Sequence, residues 1–224
     1  MIPWVHLGKA NVPGGVGELR LMRRGAEFAI MLDRAELMNS RRAGSEEALA
    51  ILACARLLDR QTAHILIGGL GMGFTLRAAL AELGPKATVT VAELVPEVVT
   101  WARGPMAEIF GDSLTDSRVM IREVDVGKLI RVGKPTYDAI LLDVDNGPDG
   151  LSRPANDGLY NVAGLAAARA ALRPGGLLAV WSAAPDRDFS QRLQRGGFTV
   201  EEIGARSRGK RGARHVVWIA SKNG

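Results

Sequence analysis

Two rhythms of apolar and polar positions divide the chain. Glu18-Leu19-Arg20-Leu21-Met22 alternates, Arg24-Gly25 interrupts, and Glu27-Phe28-Ala29-Ile30-Met31-Leu32 follows. That pattern predicts a small β-hairpin. A lone hairpin is marginal in water, so it must pack on what comes next. Residues 1–16 hold Pro3, Pro13, Gly14 and Gly15 without any period and read as irregular chain. Then the period becomes helical. Ala48, Ile51, Leu52, Ala55 and Leu58 share one face, behind Ser45 as N-cap with Glu46 and Glu47 in the first turn. Cys54 lies beside that stripe and reads as a small packing thiol, with no base suggested near it.

Beyond residue 63, short apolar runs alternate with helical stretches. Strands are predicted at 64–67, 88–92, 119–121, 137–142, 177–181, 198–203 and 215–220. Helices are predicted at 72–83, from Pro96, near 128–130, at 159–172 and at 188–195. Such alternation implies an α/β fold: a Rossmann-like, doubly wound, mostly parallel seven-stranded sheet. The last two strands lack an intervening helix, so they should form a C-terminal antiparallel hairpin. The division expected is a small N-terminal β-hairpin segment over 1–44 and a ligand-binding Rossmann-like domain over 45–224.

Composition narrows the class. With 224 residues, 47% hydrophobic, the chain can bury a core without disulfides or a structural metal. One cysteine can make neither an internal bridge nor a zinc site, so no metal is expected. No apolar run is long enough to span a membrane, and Met1 to His6 lack a secretory pattern. These features predict a soluble, cytoplasmic protein with no membrane partner. The net charge of +5 permits nucleic-acid binding without establishing it. Part of the excess is local: Arg206, Arg208, Lys210, Arg211 and Arg214 crowd one tip with no acid between them. No aromatic residue stands among them to stack bases, so a solvated hairpin tip is favoured over an RNA- or phosphate-binding loop.

In doubly wound sheets, ligands bind outside the carboxyl ends of the strands. The first such end carries Gly68-Gly69-Leu70-Gly71-Met72-Gly73. It fits G-x-G-x-G at Gly69, Gly71 and Gly73, not the dinucleotide spacing G-x-G-x-x-G, because Phe74 and Leu76 stand at the third glycine's places. The second end carries Glu93, with Leu94 beside it; a carboxylate there can accept both hydroxyls of a ribose. The third carries Asp125-Val126, where the carboxylate could meet an adenine amine or cap the short helix that follows. The fourth carries Asp143, opening a long polar loop with Asp145 and Asn146. Asp143 could hold or deprotonate an incoming amine, or form a simple Asx-turn. Trp181 ends a strand on the same side and could cover the adenine or acceptor pocket.

This order resembles the class I S-adenosylmethionine-dependent transferases, and more narrowly their spermidine synthase-like branch. The resemblance rests on the glycine loop, Glu93, Asp125 and Tyr137-Asp138-Ala139-Ile140-Leu141-Leu142-Asp143, with a β-structured piece over Gly17–Leu32, an acidic helix start at Ser45-Glu46-Glu47-Ala48-Leu49, and Leu159-Tyr160 similar to a Phe-Tyr pair opening the next helix. It implies that Gly69, Gly71 and Gly73, with Gly68, line S-adenosylmethionine or its decarboxylated form. It further implies that Glu93 and Leu94 meet the ribose, Asp125 and Val126 the adenine, and that Asp143 is the acid/base residue. A small-molecule acceptor and a homodimer go with it. Two departures stand out: no acid lies inside the glycine loop, and Asn146 replaces an Asp. A Gln and a Tyr that help hold the polyamine are also missing around Leu37–Met38 and at Ser45. Without a loop acid, the helix start at 71–74 could receive the carboxylate of ordinary S-adenosylmethionine. The expectation is therefore methyl transfer to a small amine or similar nucleophile. Polyamine aminopropyl transfer is the first alternative and RNA methylation the second. A metal-dependent O-methyltransferase is not favoured, since Ser182-Ala183-Ala184-Pro185 supplies no Asp-Asn pair.

Overall fold

The computed structural model describes residues 2–14, 17–41, 43–57, 60–144, 147–148, 157–208 and 211–223; the side chains of 157, 207, 208, 211 and 212 are outside the description. Four strands open the chain: β1 (Val5–Asn11), β2 (Glu18–Arg24), β3 (Glu27–Leu32) and β4 (Ala35–Asn39). They form one antiparallel sheet in the order β1-β2-β3-β4. The predicted hairpin is its centre, but residues 5–11 are a strand and not irregular chain. Their period is hidden because Val5 and Leu7 face outward and the register shifts between His6 and Gly8. That shift serves packing: a Cβ at Gly8 would come within 2.7 Å of Trp101 Nε1.

Next comes α1 (Gly44–Ala55), then β5 (His64–Gly68), α2 (Phe74–Glu82), β6 (Thr88–Glu93) and α3 (Pro96–Arg103). A short α4 (Ala107–Phe110) and a 3₁₀ turn lead to β7 (Val119–Glu123), α5 (Val126–Ile130) and β8 (Tyr137–Leu142). The chain ends with α6 (Asp157–Tyr160), α7 (Val162–Ala171), β9 (Leu172–Ser182), α8 (Arg187–Arg195), β10 (Phe198–Arg208) and β11 (Arg211–Lys222). The second sheet has the order β10-β11-β9-β8-β5-β6-β7. Its five strands β9-β8-β5-β6-β7 are parallel, and β10 and β11 pair antiparallel at one edge. This is the doubly wound seven-stranded arrangement expected from the alternation. Every residue of β8 is buried, as a strand covered on both faces requires.

Local corrections have local causes. Ser45 is not the N-cap of α1; the helix starts at Gly44 behind Ala43, and the Ser45 hydroxyl bonds Glu46. The helix expected over 159–172 breaks at Asn161, whose side chain accepts from the Gly164 N–H at 2.9 Å and caps α7. Pro174-Gly175-Gly176 does not precede the next strand but interrupts β9, where the register to β8 jumps between Tyr137 and Ala139. Among the described residues no helix is long and apolar enough to cross a membrane.

The register sets the functional edge. Gly68 pairs with Ala92 on one side and Leu142 on the other. The residues just beyond, Gly69, Glu93 and Asp143, therefore emerge side by side. Leu142 also pairs with Val180, which sets Trp181 next to Asp143. The four-stranded sheet shares a continuous apolar core with this domain, through Leu19, Leu21, Phe28 and Ile30.

Candidate functional site

The strand ends form one wall of a cavity, and the N-terminal sheet forms another through Val12, Leu19, Ile30, Leu37 and Met38. The glycine turn shapes its floor. Gly69 has φ +89 and a Cβ there would collide with the Asp143 carbonyl; Gly73 has φ +76 and a Cβ there would enter the Phe110 ring. Only glycine meets both conditions. The turn is tied down by Gly69 N–H to the Ala92 carbonyl at 2.9 Å and Gly73 N–H to the Leu70 carbonyl at 2.8 Å.

Glu93 is buried at 8% exposure. Its Oε2 accepts from the Leu70 N–H at 2.8 Å and its Oε1 from the Val95 N–H at 2.9 Å. Burial pushes its carboxyl upward, and these backbone N–H groups oppose the push. It thus braces the glycine turn against the end of β6. The backbone N–H groups of Gly71 and Leu94 also favour its charged form. Asp125 caps α5 by accepting from the Gly127 N–H at 2.8 Å and also lines the cavity. Capping and lining coexist in one side chain.

Asp143 lies at the cavity wall, partly covered, with Oδ2 accepting from the Thr75 hydroxyl at 2.6 Å. Its carboxyl is pushed up to about 7, first by burial and then by the negative charge of Glu46, with the Thr75 hydroxyl pulling the other way. Glu46 lines the same cavity from the first turn of α1. Burial raises its carboxyl too, against the Ser45 hydroxyl, which donates to Oε2 at 2.6 Å. Thr75 spans the two elements: its Oγ1 also lies 3.3 Å from the Glu46 carbonyl. Among the described residues lining the cavity there is no lysine, arginine or histidine.

Of the residues expected from sequence, Gly69, Gly71, Gly73, Glu93, Leu94, Asp125, Val126 and Asp143 all line this one cavity. Gly68 does not; it lies behind it in β5, where its carbonyl accepts from the Asp143 N–H at 3.0 Å. Trp181 lines the cavity as expected, its ring stacked on His215 at 4.9 Å and 27°. Asp145 and Asn146, and the side chains of Arg208, Lys210 and Arg211, fall outside the described residues. Sequence reasoning missed Glu46, Thr75 and the wall from the N-terminal sheet. An acid in a helix's first turn looks like a dipole partner, and the resemblance marks Ser45-Glu46-Glu47 only as an acidic helix start, without giving Glu46 a ligand.

No protein-family model matches the chain. A curated relative, polyamine aminopropyltransferase 1 of Streptomyces coelicolor, is 32% identical over 124 residues, which are 54% of this chain and 22% of that protein. The chain thus matches about a fifth of that relative's length. Among solved structures, the spermidine synthase of Thermotoga maritima superposes with a TM-score of 0.75 at 16% identity, covering 97% of this chain and 72% of that one. Human methyltransferase-like protein 13, solved with SAH, gives 0.57 at 19% identity over 80% of this chain and 79% of that one. In fold, the chain is similar to the spermidine synthase of Thermotoga maritima and, less closely, to human methyltransferase-like protein 13. These likenesses correct the expectation of methyl transfer: the sequence relative and the better-superposing structure carry aminopropyltransferase and spermidine synthase names. The physical reason is visible in the cavity. A donor carboxylate at 71–74 would enter a space already holding Glu46 and Asp143 with no described lining cation.

Proposed function

We propose that the chain catalyses aminopropyl transfer from decarboxylated S-adenosylmethionine to a small amine acceptor. One observation carries this reading: a cavity on a chain of net charge +5 is lined by Glu46, Glu93, Asp125 and Asp143 without a described basic side chain. Such a site favours a ligand that is cationic throughout and disfavours one bearing a carboxylate. The donor supplies a sulfonium whose adjacent carbon is open to in-line displacement.

The residues present suit that ligand. The glycine turn allows close backbone approach, Glu93 lines the cavity beside it as the acid for the ribose, and the apolar wall from Leu19, Ile30 and Leu37 covers the nucleoside. Asp143 then receives the proton displaced from the acceptor nitrogen as its lone pair forms the new C–N bond and the C–S bond breaks. A carboxyl held near 7 suits a base working near neutral pH. The Thr75 hydroxyl fixes the direction of Oδ2. The test is incubation with decarboxylated S-adenosylmethionine and 1,4-diaminobutane, with products identified by mass. A triamine and methylthioadenosine are expected. Methylated product from S-adenosylmethionine, with none from the decarboxylated donor, would overturn the reading.

A further inference from the structure

We infer that Glu46 is the specificity-determining residue for the donor's tail, holding its primary ammonium together with Asp143. This inference rests on the aminopropyl reading above and deepens it. The glycine turn at 68–73 carries no acid, and of the described strand-end carboxylates lining the cavity Glu93 braces that turn and Asp125 caps α5, which leaves Asp143 for the ammonium. The second carboxylate comes from a different element, α1, which packs against α2. Thr75 on α2 locks the two elements together, donating to Asp143 at 2.6 Å with the Glu46 carbonyl 3.3 Å from the same oxygen.

The contrast with other covered acids supports the assignment. Glu27 is buried, but Arg24 reaches it at 2.8 Å and Arg41 at 3.1 Å. Glu46 has a Ser45 hydroxyl, and its nearest charged influences are Glu47 and Asp143, both negative. Confining like charges is unfavourable for the fold alone. A ligand ammonium between them reverses the sign, and a ligand carboxylate makes it worse. Glu46 therefore acts in both directions, attracting the decarboxylated donor and repelling ordinary S-adenosylmethionine.

Three probes separate this role from the parent reading: methylthioadenosine, decarboxylated S-adenosylmethionine and S-adenosylmethionine, each titrated calorimetrically into wild type, Glu46→Gln and Glu46→Asp. Wild type should prefer the decarboxylated donor to S-adenosylmethionine by at least about tenfold, the scale of one charged hydrogen bond. Glu46→Gln should shrink that preference by about tenfold and leave methylthioadenosine affinity within about twofold, since that ligand has the nucleoside and no amine. Glu46→Asp should restore part of the preference. An unchanged preference in Glu46→Gln, with methylthioadenosine still bound, overturns the role of Glu46 alone. Failure of wild type to bind methylthioadenosine or the decarboxylated donor overturns the parent reading, and this inference with it. A thermal melt of each variant confirms that it folds.

Discussion

Asp138 and Asp143 belong to opposite ends of β8. Asp138 sits just inside its start, and Asp143 just past its finish. Burial would raise the Asp138 carboxyl, but the His64 N–H at 2.8 Å, Arg60, and Arg173 at 2.7 Å hold it below the ordinary carboxylate range. Asp143 has one hydroxyl donor and a negative neighbour, and it moves the other way. The same residue type at the two ends of one strand is thus a charged structural tie at one end and, on the proposed reading, a proton acceptor at the other. What separates them is the partner set: cations and N–H donors stabilise the charge, whereas desolvation and a second carboxylate leave it to be completed by a ligand.

Replacing each in turn should separate the two roles. Asp143→Asn keeps shape and removes the base, so aminopropyl transfer should fall roughly 100- to 10,000-fold. Folding stability should hold or rise, because a like charge beside Glu46 disappears. Steady-state product formation and urea melts on one preparation read both, and full activity in the variant would remove Asp143 from the chemistry. Asp138→Ala should do the reverse. It strands two guanidinium groups and the His64 N–H. Losing one partner of a buried pair costs roughly 3–5 kcal/mol, and the partial exposure of Arg60 and Arg173 lowers this to about 2–3 kcal/mol. Methylthioadenosine affinity of the folded variant should match wild type. A large affinity loss without a stability loss would break the contrast.

The two ends of β8 also differ in how they could be read beforehand. The strand's own apolar run announced it, and the glycine loop announced the turn, because both are local patterns set by period and by φ. Asp143 was legible as a position, at a strand exit in a doubly wound sheet. An acid/base role could be expected there, but the upward push on its carboxyl could not, since it depends on burial and on Glu46 and Thr75, which come from other helices. The same limit hid β1. Val5 and Leu7 face outward, so a strand defined by its partner β2 leaves no apolar period of its own. Methyl transfer was inferred from an acid missing within one loop. The cavity collects carboxylates from several elements, which a loop-by-loop reading cannot sum.

The smallest expected effect is in pH dependence, and its sign distinguishes the two aspartates. Asp143 is raised in the folded chain, so between the usual aspartate range and about 7 the folded state keeps a proton the unfolded state has lost. Its contribution to stability therefore declines as pH rises through that window and is level above it. Asp138 is lowered, so its contribution is present above the unfolded value and is lost as pH falls through the folded one. Urea midpoints at several pH values should then show Asp143→Asn gaining on wild type from acid toward neutral pH. Transfer activity should rise through the region of 7 as Asp143 ionises, and Glu46→Gln should move that rise to lower pH, since the substitution removes one of the two causes of the upward push. A profile in Glu46→Gln that overlays wild type would mean that burial alone sets Asp143. The pair of carboxylates would then be two independent groups in one cavity.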